Sequence, residues 1–404
     1  MGKFNPYFRP SPLTWLLIIT LAGLSWATPN PLLTSVSLLA LPIFAMLLWV
    51  RGEPPILFFV VAFQWVEVTT KVFHADRLGI SVEEMFGGEE VRKAIWLGLA
   101  GLLAVTFGMR LAMTRLRVFE AVKMQEEVTR FSLRRLFAGY WLALIGSLFL
   151  RASAGKFELL KQFFWTLSSF KWVMFFLLAY TVLRRKEKKI YLILPLALEV
   201  ILGFTGFFSS FKYVFYVLIL VLLAVGYRMT ARNTIWVTAS LGFVLFLSSL
   251  WMSFRGEYRS FLNQGTKQQV VAVPLKASLA KLVELMSQID RSSLEKGFEL
   301  VLERAAYVDM FAYVLRVVPQ ALPYEKGALW LKAIEHVFTP RLFFPDKPPL
   351  PSDSITTAKY TGMWWAGEET GTSISMGYMV ESYIDFGDYR YVFGANRGWG
   401  QVWD

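Results

Sequence analysis

Arginines, lysines and carboxylates are the chemistry this sequence has to offer. It contains no cysteine, so a disulfide framework, a thiol nucleophile and a thiolate metal site are excluded. Its two histidines, His74 and His336, lie far apart and form no His-x-x-x-His pair, which argues against a zinc centre. The run Pro340-Arg341-Leu342-Phe343-Phe344-Pro345-Asp346-Lys347-Pro348 packs two cations and an acid between prolines. It predicts a rigid, charged loop, because proline narrows the freedom of the unfolded chain. Glu381, in Met379-Val380-Glu381-Ser382-Tyr383, has apolar neighbours, and burial there would raise its pKa towards that of a general base. Trp364-Trp365 could stack on a ligand's ring or anchor at a membrane boundary.

The elements that must carry these groups are membrane helices. Of 404 residues, 55% are hydrophobic and the mean hydropathy is +0.45, which selects the lipid-embedded class. The net charge of +12 resides mostly in short loops beside apolar segments. It reads as an orientation signal, and nucleic acid is not expected as a partner. Candidate spans fall at 13–27, 31–50, 55–70, 94–112, 136–150, 172–183, 190–207, 213–227 and 234–252. Each must be helical, because lipid offers the backbone no hydrogen-bond partner. The fold class is therefore all-α, a polytopic integral membrane protein of about nine or more transmembrane helices.

Basic loops at 113–135, 184–189 and 228–232 share one parity with Lys3 and Arg9, which puts the N-terminus and these loops in the cytoplasm. Residues 1–252 form the bundle, and 253–404 a large extracytoplasmic loop. Loop 151–171 dissents, being external by parity yet carrying Arg151, Lys156, Lys161 and Lys171. It reads either as snorkelling with a misplaced boundary or as an external cationic surface. The first apolar stretch is read as a retained span, although Ser25-Trp26-Ala27 resembles a leader cleavage site.

In the external region, the spacing of Leu275, Leu279, Leu282, Val283, Met286 and Ile289 predicts an amphipathic helix. Ser292 with Glu295 predicts a capping box for a second helix that ends near Pro319. These helices are expected on the outer leaflet or over the bundle. Residues 373–387 predict a helix returning towards the membrane.

One combination of residues resembles a known family. It comprises Arg255 in Ser253-Phe254-Arg255-Gly256-Glu257, Arg304 after Glu303, Pro340-Arg341 with Pro345-Asp346-Lys347-Pro348, and Thr372-Ser373-Ile374 leading to Glu381, Tyr383 and Phe386-Gly387. It looks like the bacterial oligosaccharide repeat-unit polymerases, the O-antigen polymerase-like proteins, and their O-antigen ligase relatives. The resemblance covers about 253–387. Such proteins usually continue into one or more further spans after this segment, and this chain stops where one is expected.

The resemblance implies polymerisation of polyprenyl-diphosphate-linked repeat units at the outer face of the bacterial inner membrane, for surface polysaccharide. The partners it implies are the carrier-linked glycan, the bilayer, and flippase and chain-length regulator proteins. No cofactor, nucleotide sugar or metal is implied. The alternatives are ligation of the glycan to a lipid core, and transport or flipping of a glycolipid. Departure of the diphosphate calls for cations, and guanidinium suits phosphate by donating two parallel bonds. Arg255, Arg304 and Arg341 are the first candidates, and Lys212 and Lys347 follow. Each has a plainer role available: a headgroup anchor for Arg255, an ion pair with Glu303, Glu299 or Glu295 for Arg304, a pair with Asp346 for Arg341, and an interface snorkel for Lys212. Candidates for the base are His336, Glu381 and Glu257. Asp346, Tyr383 and Trp365 join the substrate-binding set. Glu67 and Glu199 fall within spans, where a carboxylate suggests function or pairing, and Glu199 is expected to partner a loop arginine.

Overall fold

The computed structural model describes residues 8–50, 53–85, 87–115, 130–154, 161–208, 210–225, 231–266, 271–339, 343–344, 352–367 and 372–393. Among them are sixteen α-helices and no strand. The apolar ones are α1 Pro12–Leu24, α2 Pro31–Leu48, α3 Ile56–Leu78, α4 Glu89–Arg115, α5 Leu133–Ala154, α6 Lys161–Ser168, α7 Phe170–Arg185, α8 Ile190–Thr205, α9 Lys212–Ala224 and α10 Ala231–Leu262. The later ones are α11 Leu275–Ser287, α12 Arg291–Ala305, α13 Val308–Val317, α14 Ala328–Phe338, α15 Asp353–Thr361 and α16 Tyr378–Phe393.

The protein is a helical membrane protein, but among the described residues six helices, not nine, are long and apolar enough to cross a bilayer. The expected spans at 13–27, 190–207 and 213–227 correspond to helices shorter than a straight crossing requires. The expected span 172–183 instead extends back to Phe163. Lys171 thus belongs to a helix rather than to a cationic loop. Its ammonium is buried, 2.9 and 2.7 Å from the two carboxylate oxygens of Glu199, which also accepts from the Tyr140 hydroxyl at 3.0 Å. Glu199 is paired as expected, with a lysine rather than a loop arginine.

The boundary at 252 also moves. α10 continues to Leu262, so the division expected there falls inside a helix. Nor do the later helices fold apart from the bundle. One core joins α2, α3 and α4 to α13, α15 and α16, with Phe44, Val72, Ile95, Phe311 and Tyr383 among its buried members. A second joins α5 and α7–α10 to α11 around Tyr140, Phe175, Trp251 and Tyr258. Close side-chain packing supplies this cohesion where lipid tails weaken the hydrophobic drive.

α12 lies between the two cores. Its first helical residue is Arg291, and Asp290 rather than Ser292 caps it, accepting from the Ser293 N–H at 2.8 Å. Glu295 pairs with Arg291 at 2.9 Å instead of closing the expected capping box. The helix expected to reach Pro319 breaks after Ala305 into α12 and α13. The polar half of α3 faces this break. Lys71 pairs with Asp309 at 2.9 Å, His74 Nε2 lies 2.9 Å from Glu299, and Arg77 bonds the other Glu299 oxygen. Lys71, His74 and Arg77 recur every three residues, which keeps them on neighbouring positions of one helix face.

Candidate functional site

Three close approaches gather four cations at the ends of α9, α10 and α12. The first is between the end of α8 and the start of α9. A Cβ on Gly203 would lie 2.2 Å from the Phe211 backbone nitrogen, so only glycine lets the turn fold this tightly. Phe204 then stacks on Phe211 at 4.2 Å between centroids, and Trp251 of α10 packs edge-on to both. Lys212 follows Phe211 directly, and Arg255 follows Trp251 by one turn.

The second approach joins α10 to α12. A Cβ on Gly297 would lie 2.2 Å from the Ser249 carbonyl oxygen. The two helices run alongside each other in the same direction, so Arg304, two turns beyond Gly297, comes level with Arg255 and Arg259. We expect Gly297→Ala to force the backbones apart, lower stability by about 1–3 kcal/mol and displace Arg304. Thermal unfolding of the purified variant measures the first effect, and its affinity for inorganic diphosphate the second.

The third approach fixes Arg259. Its Nε donates to the Phe207 carbonyl at 2.9 Å, and its guanidinium lies 4.7 Å from the centroid of the Phe207 ring. Arg255 and Arg259, four residues apart, share a face of α10.

The cations repel one another. Lys212 feels the charges of Arg304 and Arg255, Arg255 those of Arg304 and Arg259, and Arg259 that of Arg304. Lys212, Arg255 and Arg259 are half-buried, and Arg304 is exposed. Among the described residues, no carboxylate forms an ion pair with any of the four. Half-buried like charges destabilise a fold unless an anion offsets them, so this arrangement suits a multiply charged anion such as a diphosphate.

Beside this cluster is an acidic one. Glu67, held by Gln64 at 2.8 Å, lines a 170 Å³ cavity with Tyr307, Tyr378, Phe311 and Met376. Burial pushes the Tyr307 phenol up, and so do the charges of Glu67, Asp353 and Glu381 around it. The Glu381 carboxyl is raised above its ordinary range, first by burial and then by Asp353 and Asp385, while a hydrogen bond with Ser375 opposes the shift. The link to the cations is α9. Tyr216, one turn after Lys212, feels the charge of Glu67 and packs on Phe63 at 5.9 Å.

The sequence-based candidates divide accordingly. Arg255, Arg304 and Lys212 converge. Arg341, Asp346 and Lys347 lie outside the described residues. Glu257 is exposed and pairs with Lys281 at 2.9 Å, apart from the other candidates. Tyr383 lies elsewhere. It is buried in the first core, its hydroxyl donating to the Val318 carbonyl at 3.1 Å and its ring packing on Phe311, which leaves it no face for substrate. His336 sits on α14, none of whose residues is buried and which packs on α16. Trp365 is half-buried, its indole donating to Thr361 Oγ1 at 2.8 Å, whereas Trp364 is exposed. Arg259, Asp353 and Tyr307 adjoin these clusters and were not among the sequence-based candidates. For Arg259 the signal was its four-residue distance from Arg255, hidden by ending the span at 252.

Residues 84–395 match the model of a domain of unknown function, DUF8712. The match takes in more than half of the chain, which belongs to that family. It includes Lys212, the three arginines and Glu381, and begins after Glu67. No curated protein and no solved structure matches the chain.

Proposed function

We propose that the chain transfers a glycan from a polyprenyl diphosphate carrier to a sugar hydroxyl, at the outer face of a bacterial inner membrane. The observation that carries this reading is the set of four cations with no carboxylate ion pair among the described residues. In the proposed reaction the acceptor oxygen bonds to the anomeric carbon and the bond to the diphosphate breaks. The electron pair leaves with the diphosphate, where Arg255, Arg304 and Lys212 neutralise it and Arg259 completes the cradle. Cations held in place before charge develops need little reorganisation, and this makes such stabilisation large. The acceptor proton passes to Glu381, with Tyr307, Tyr378 and Glu67 forming the pocket for the acceptor sugar. Polymerisation of repeat units is the leading form of this reaction and ligation to a lipid core the second, since both need the same leaving group.

The finer topology belongs to this proposal. The three short apolar helices complete nine crossings, with the N-terminus cytoplasmic, so that the cations and Glu381 face outward. Flippase and chain-length regulator proteins are the expected partners. The test is extension of a defined carrier-linked oligosaccharide by the purified protein in nanodiscs. Product lengthening with release of carrier diphosphate supports the reading. Movement of the carrier lipid between leaflets without a longer product would instead indicate transport.

Glu381 makes the pH dependence specific. A base must be ionised, so the rate falls as pH drops through the raised Glu381 pKa, and the acid limb lies above the ordinary carboxylate range. Glu381→Gln is expected to remove that limb and lower the rate by about 10²–10⁴-fold. The stability effect has the opposite sense. A carboxyl whose folded pKa is raised stabilises the fold below its unfolded pKa, and that contribution is lost as pH rises through the folded value. The Gln variant should therefore gain stability relative to the parent on the alkaline side, as pH-dependent thermal unfolding would measure.

A further inference from the structure

We infer that α14 is an interfacial helix whose apolar face rests in the bilayer that holds the spans. This attachment is independent of the proposed transferase activity. At 100° per residue, Trp330, Leu331, Ile334, Val337 and Phe338 fall within an arc of about 120°. Lys332 and His336 occupy the opposite side, and Glu335 lies at its margin. The protein leaves the apolar face uncovered: Leu331 is 68% exposed, Val337 71% and Phe338 77%. Five large apolar side chains on one short helix face are too many to leave in water without a partner.

The beginning of the helix is tied to α16. The N–H groups of Leu329 and Trp330 donate to the two carboxylate oxygens of Asp385 at 3.1 and 2.9 Å, and the Trp330 indole donates to Ser382 Oγ at 3.1 Å. Asp385 is 1% exposed, and the Glu325 N–H bonds the neighbouring Ile384 carbonyl at 3.0 Å. A buried carboxylate thus fixes the direction of α14 as it leaves the body. The apolar stripe is presented outward, facing away from its own protein.

Lipid is the occupant that the chemistry favours. Six membrane-length helices put a bilayer within reach of every copy of this chain. Lys326 precedes the helix, as suits a surface of lipid phosphates, and Trp330 lies in the stripe near its start, where an amphipathic ring favours the headgroup level. The same chemistry continues along the chain at Phe343 and Phe344, 74% and 50% exposed.

Because the chain has no cysteine, single thiols can be introduced into the full-length protein. Val337→Cys, Phe338→Cys and Lys332→Cys are labelled with an environment-sensitive fluorophore. Each is then reconstituted in vesicles of phosphatidylethanolamine with a minority of phosphatidylglycerol. The expected result is blue-shifted emission at 337 and 338, quenched by lipid-borne nitroxide and little by iodide, with the reverse at 332. Iodide quenching at 337 and 338 would overturn the inference. So would protection from both quenchers, since a protein surface, whether of this chain or a second copy, would then cover the stripe.

Discussion

Arg255→Gln is expected to slow glycan extension by about 10²–10³-fold, the loss seen when one preorganised donor to a developing anion is removed. Arg255→Lys should recover only part of it, because an ammonium restores the charge but not the two parallel donors. Single-turnover extension of a carrier-linked oligosaccharide measures both. Stability separates this role from a structural one. Arg255 lies among Arg304, Arg259 and Lys212 with no described ion pair. Its neutralisation should therefore raise stability by about 1 kcal/mol, as relief of local repulsion does at other sites tuned for function. A guanidinium that merely anchored the helix would change in the opposite direction, its loss lowering the unfolding temperature and leaving extension intact. Diphosphate added to the parent should raise its unfolding temperature, and the gain should shrink in the Gln variant. Parent-like extension together with an unchanged response to diphosphate would remove Arg255 from the site.

Helices and lipid exposure were legible from hydropathy alone, since unbroken apolar runs leave the backbone no alternative in a bilayer. Lengths were less so. The run at 234–252 was ended where polar residues begin, yet α10 goes on through Arg255 and Arg259 to Leu262. Hydropathy marks where the solvent changes, whereas a helix continues for as long as its backbone bonds and packing allow. Arg255, Arg304 and Lys212 were identified because their residue type announces their chemistry. The carboxylates proved harder. Glu257 and Glu381 look alike in sequence, but Lys281 claims the first, while burial among Asp353 and Asp385 changes the second. Tyr383 packs in the first core, because an aromatic residue in a motif can serve the core as well as a ligand. Asp353 and Tyr307 carried no local signal at all, and only the packing of α13, α15 and α16 brings them to Glu67.

The buried pair between α7 and α8 should dominate stability, and its two single substitutions should not add. Lys171 and Glu199 are 6% and 4% exposed, and the ammonium lies within 2.9 Å of both carboxylate oxygens. The Lys171 charge also lies 4.5 Å from the Trp172 ring, and Tyr140 bonds the carboxylate from α5. Glu199→Leu would leave the ammonium with that ring alone, and Lys171→Leu would leave the carboxylate with one phenol. Stranding either charge is expected to cost about 3–5 kcal/mol. The double variant Lys171→Leu/Glu199→Leu strands neither, and it should return to within about 1–2 kcal/mol of the parent or exceed it, because desolvating both ions costs as much as their attraction returns. Denaturant unfolding of the four proteins in one detergent closes the cycle, and additive losses would show that the two residues stabilise the helices separately. The same double variant also tests whether the pair serves only packing. If it does, glycan extension survives in a protein that has lost both charges. If extension fails while stability holds, the triad with Tyr140 acts in the reaction or in the motions that accompany it.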